Sequence, residues 1–133
     1  MKLTDDRNLR GLAARYTRRQ VRQLTEQIEG IRAAEDIEFV HRARVALRRL
    51  RTALSVFAEV FGADRVKAWR KALRRTARDL GDARDKDVQI EYVRAMLAGN
   101  CDPAAVLGIA RVLVRWEKKR ESLQPVVLRS LRR

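Results

Sequence analysis

A chain of 133 residues with 46% hydrophobic and 36% charged positions is long enough for one core and too rich in apolar side chains for disorder. Its formal net charge of +14 weakens the compact state by self-repulsion and attracts nucleic acid, polyphosphate or anionic lipid, while 5% aromatic residues is too little for a protein that stacks single-stranded bases. The single cysteine excludes an internal disulfide.

Apolar residues recur at helical spacing along the chain and no stretch alternates like a strand, so an all-α fold is expected. Residues 1–6 lack the apolar run of a signal peptide and no segment is long enough to span a bilayer, which predicts a soluble, cytoplasmic protein. A first helix is expected over about 6–29, with Leu9, Leu12, Ala13, Tyr16, Gln20 and Leu24 inward and Gly30 just past its end. A second is expected over about 37–61, capped by Asp36 and closed by Gly62, with Val40, Ala43, Leu47, Leu50, Leu54, Phe57, Ala58 and Phe61 inward. A third follows Asp64 and is stopped by Gly81, its inner face marked by Val66, Trp69, Leu73, Ala77 and Leu80. The fourth starts at once, with Asp82 as cap and Asp85 as its capping-box partner, carries Val88, Ile90, Val93, Met96 and Leu97, and ends at Gly99 and Asn100. Cys101 falls at this boundary as a small, half-buried residue. Asp102-Pro103 opens the fifth helix, which buries Val106, Ile109, Leu113, Trp116 and Leu123, and Pro125 is expected to kink or end it near Gln124. Short connections favour antiparallel neighbours. The expected architecture is a single domain, residues 1–133: an antiparallel up-and-down helical bundle of four long helices plus one shorter helix.

The most informative stretch is 40–51, which holds five arginines and the only histidine. His41, Arg44, Arg48 and Arg51 recur at i, i+3, i+7 and i+10 and form one stripe beside the apolar face, whereas Arg42 and Arg49 point away from it. No acidic residue lies between Val40 and Leu54, so pairing within the helix cannot neutralise the stripe. Lys67, Lys71, Arg74 and Arg78 make a comparable flank on the third helix, and Arg15, Arg18, Arg19 and Arg22 on the first. Arg120 falls inside the apolar arc of the fifth helix and needs either a partner or a solvated groove. Arg129, Arg132 and Arg133 fit an ordinary solvated surface. Arginine's planar fork grips phosphate oxygens in pairs and keeps its charge, so a row of arginines points to a repeating phosphate chain.

The run from Val40 to Leu54 closely resembles the histidine-containing signature helix of the CHAD domain, the conserved histidine α-helical domain. Leu80-Gly81-Asp82-Ala83-Arg84-Asp85-Lys86-Asp87-Val88 resembles that family's second signature, and the two occur in the family's order. The resemblance implies a non-enzymatic module that binds inorganic polyphosphate, in some cases at polyphosphate granules. It carries over His41, Arg44, Arg48, Arg49, Arg51 and Arg84 as polyphosphate-binding cations; Lys71, Arg74, Arg78, Lys119 and Arg120 join them by helix position. A full CHAD domain has two four-helix modules about a pseudo-twofold axis, with a basic cavity between them. This chain has the length of one, so either it is a fragment or two copies pair to rebuild the full unit; of these a homodimer is the expectation, because a twofold interface is the commonest way to close such an assembly.

His41 reads equally as a structural histidine near a helix end and as a phosphate donor. Asp85 reads as a cap that also orients Arg48 or Arg84. Asp82, Asp85 and Asp87 lack the ligand spacing of known divalent-cation loops, and one histidine argues against metal chelation. No nucleophile–base pair, phosphate-cradling glycine loop or recognisable carboxylate pair is present, so neither catalysis nor a cofactor is expected. Two alternatives remain: a nucleic-acid-binding bundle, against which stand few aromatics and no helix-turn-helix pattern, and an adaptor for an acidic protein partner.

Overall fold

The structure, a computed structural model, describes residues 2–99 and 101–131, with side chains from Arg7 onward; Asn100, Arg132 and Arg133, read above as a helix terminator and as solvated cations, lie outside the described residues. The fold is all-α. Its helices are α1 (Lys2–Thr25), α2 (Ile28–Ala33), α3 (Glu38–Val56), α4 (Ala58–Phe61), α5 (Ala63–Ala98) and α6 (Pro103–Ser130). Four of them are long, with 24, 19, 36 and 28 residues, as expected of the bundle class. Among the described residues no helix is long and apolar enough to cross a membrane.

The chain forms two compact units, Met1–Arg78 and Asp79–Arg133. In the first, α1 packs along α3. The contact face is rich in alanine: Ala13, Ala43, Ala46 and Ala53 are at most 2% exposed, and Leu47, Leu50 and Leu54 fill the space between them. Small side chains let helix backbones approach closely, while the leucines supply roughly 1.5–3 kcal/mol each of burial. Gln20, expected on the inner face, is buried there, and Tyr16 meets Phe57 with ring centroids 6.5 Å apart. The Asp36 carboxylate accepts the Glu38 N–H at 2.9 Å and opens α3 as predicted.

In the second unit, Leu80, Ala83, Ile90, Val93 and Val127 are buried. Asp102 caps α6 as predicted, accepting the Ala104 N–H at 3.0 Å ahead of Pro103.

Several boundaries differ from the sequence expectation. The predicted break at Gly81 is absent, and α5 runs unbroken through it. A glycine inside a helix costs about 1 kcal/mol relative to alanine, less than the burial of its neighbours Leu80 and Ala83 returns. Asp82 and Asp85 are therefore mid-helix residues and not caps. Gly30 does not terminate a helix either. It lies within α2, where a Cβ would come within 2.3–2.5 Å of the Phe39 ring, so glycine is required by close approach. The turn out of α2 falls instead to Ala34, at φ +56°. The predicted helix 37–61 is interrupted at Phe57 (φ −103°, ψ 23°), and Gly62 at φ +90° then ends α4 as expected. Pro125 does not end α6: the helix continues to Ser130, held by the fully buried Val127 and by the Ser130 hydroxyl bonding the Asp79 carboxylate. Leu9, Leu12, Trp69, Val88, Met96 and Val106, assigned to inner faces, are exposed. Helical spacing finds an apolar stripe, but it does not tell how much of that stripe a neighbour covers.

Candidate functional site

The arginine row of α3 follows from the packing just described. Val40, Ala43, Leu47, Leu50 and Leu54 fix the rotation of the helix by turning into the core. At 3.6 residues per turn this leaves His41, Arg44, Arg48 and Arg51 exposed along one edge. They line a groove of about 420 Å³ together with Arg74 and Arg78 of α5; Val45, Leu47 and Ala77 supply its apolar surface. A second basin of about 320 Å³ continues from the first, sharing Arg48, Arg51 and Arg74 and adding Thr52, Ser55 and Arg70.

The linings run in opposite order along the two helices. Arg44 and Arg48 share the first basin with Arg78 and Arg74, whereas Arg51 and Ser55 share the second with Arg74 and Arg70. The stretches facing the groove are therefore antiparallel. The α3 edge from His41 to Ser55 is roughly 21 Å long at 1.5 Å per residue. Six arginines and a histidine line the two basins, and no carboxylate does.

Side-chain hydroxyls along the row are already committed to the backbone. Thr52 Oγ1 donates to the Arg48 carbonyl at 3.1 Å and Ser55 Oγ to the Arg51 carbonyl at 3.3 Å. Arg70 Nη2 donates to Ser55 Oγ at 2.7 Å. The guanidinium forks are the donors left for a ligand. A long trough of such forks without counter-charge suits an elongated polyanion whose oxygens are presented on several sides.

The structure brings six of the predicted cations together: His41, Arg44, Arg48, Arg51, Arg74 and Arg78. Arg49 and Lys71 are exposed and line neither basin. Arg42, placed outside the row by sequence, lies over the Phe39 ring at 5.4 Å. Arg84, Asp85, Lys119 and Arg120 belong to the second unit. There Arg84 is half-buried and Asp85 and Lys119 are exposed. Arg120 has a fixed partner: its Nε donates to Asp87 Oδ1 at 2.8 Å and its Nη1 to Gln124 Oε1 at 3.0 Å. The side chains of Arg120 and Asp87 are 16% and 5% exposed. This is the partner that a cation within the apolar arc of that helix required.

Arg70, Thr52 and Ser55 line the groove without having been singled out by sequence. For Arg70 a signal existed: Arg70, Arg74 and Arg78 repeat at four-residue steps and so are neighbours along one helix face. Thr52 and Ser55 carry no charge and gave none.

The family model of the CHAD domain matches residues 15–133, nearly the whole chain. No curated protein and no solved structure matches.

Proposed function

The chain belongs to the CHAD domain family, and from that premise we propose that it is a non-enzymatic module that binds inorganic polyphosphate in the groove between α3 and the first part of α5. The observation that carries this reading is the groove itself: six arginines and His41 along roughly 21 Å with no carboxylate among them. The guanidinium forks hold phosphate oxygens in pairs, and each contact releases counterions, so binding weakens steeply with salt. His41, Arg44, Arg48, Arg51, Arg74 and Arg78 are the principal ligands. Arg49, Lys71, Arg84 and Lys119 contribute long-range attraction, with Asp85 orienting cations of its own unit, whereas the charge of Arg120 is taken up by Asp87.

Two copies pair into a homodimer in this reading, which makes residues 1–133 one module of a two-module unit acting in the cytoplasm, where polyphosphate granules form. Exposed Val88, Tyr92 and Met96 repeat at four-residue steps along α5, and Val106, Leu107 and Val114 are exposed on α6. Such apolar surface favours a partner of the same kind.

Competition separates this function from nucleic-acid binding. Labelled long-chain polyphosphate is bound to the protein and challenged with duplex DNA or RNA at equal phosphate concentration, with the species weighed by sedimentation. Polyphosphate is expected to stay bound, in a particle containing two chains. Efficient displacement by duplex contradicts the ligand assignment, and a one-chain particle under all conditions contradicts the dimer.

A further inference from the structure

The geometry assigns Arg70 a separate task within this site: it marks the far end of the groove and makes binding depend on the length of the phosphate chain. The inference rests on the polyphosphate reading above. Its basis is the way the two basins overlap. Arg48, Arg51 and Arg74 line both, so three guanidinium groups meet where the basins join, and His41, Arg44 and Arg78 line only the first. A short anion such as triphosphate is satisfied by these six cations of the first basin, the junction included. Arg70 lines only the second basin, beyond the junction, and meets only an anion long enough to run past it.

Ser55 is the positioning residue. Its hydroxyl hydrogen is directed to the Arg51 carbonyl, which turns an oxygen lone pair toward Arg70 Nη2 at 2.7 Å. A long, flexible side chain is thereby held at the groove before ligand arrives, reducing the entropy lost on binding. A guanidinium has five N–H donors and Ser55 occupies one, so the remaining fork still faces a phosphate. Arg70 is half-buried, which further limits its rotamers.

The test compares triphosphate with long-chain polyphosphate on the wild-type protein and on Arg70→Ala, Arg70→Lys and Ser55→Ala, with helicity checked by circular dichroism. Arg70→Ala is expected to weaken the long chain roughly tenfold, the size of one charge-assisted hydrogen bond, and to lower the slope of log affinity against log salt by about one. Triphosphate binding should stay within about twofold of wild type on that scale. Arg70→Lys should restore the salt slope but not the full affinity, because the charge returns without the fork. Ser55→Ala should weaken the long chain alone, by less than Arg70→Ala. Equal losses for both ligands, or no loss for either, overturn the length-selecting role. Failure of the wild-type protein to bind any polyphosphate overturns the ligand assignment instead, and the two results are distinguishable in one series.

Discussion

Arginine serves two ends in this chain, and the neighbours of each side chain decide which. Arg120 is a structural cation: it is largely buried and bonded to Asp87 and Gln124. Removing one member of a buried ion pair leaves the other charge without compensation, at about 3–5 kcal/mol. Arg120→Ala should therefore lower stability by that amount in urea unfolding, while Asp87→Leu with Arg120→Met should recover most of it. If Arg120→Ala unfolds like wild type, the pair contributes nothing and Arg120 is available for other partners. The sequence showed that Arg120 needed either a partner or a groove but not which, because Asp87 is thirty-three positions away. By contrast, the groove row was legible directly. His41, Arg44, Arg48 and Arg51 share a helix with the apolar residues that orient them, so one helical period fixes both faces.

At the scale of elements, boundaries were less legible than faces. Asp36, Gly62 and Asp102 act as read, because each meets a purely local need: a backbone N–H to satisfy or a positive φ to adopt. Gly81 and Pro125 do not end their helices, because tertiary burial, at Leu80, Ala83 and Val127, outweighs a local breaker. Gly30 is the instructive case. It is a glycine for the sake of the Phe39 ring and not for a helix end. Gly30→Ala should destabilise the first unit by about 1–3 kcal/mol through overpacking. Thermal unfolding of the variant measures this, and an unchanged or raised midpoint would show that Phe39 moves aside without cost.

The whole molecule carries a net charge of +14, and a diffuse cloud of that size attracts any polyanion. The proposed function is narrower: a defined groove in the first unit, and not the diffuse cloud, holds the ligand. All-α class and family were legible from periodicity and two signature segments. The second wall of the groove was legible only in part, since which stripe of α5 meets α3 depends on how the helices pack: Arg74 and Arg78 were anticipated, Arg70 was not, and Lys71 is displaced from the lining. Arg48 and Arg49 offer the most direct test, because they are adjacent, carry the same charge and are both exposed, yet only Arg48 lines the groove. Long-chain polyphosphate is titrated at fixed salt into Arg48→Glu and Arg49→Glu. The expected loss is about 100-fold for Arg48→Glu, ~2.7 kcal/mol, and less than about threefold for Arg49→Glu. Equal losses for the two would mean that overall charge and not the groove binds polyphosphate, and would contradict the groove assignment.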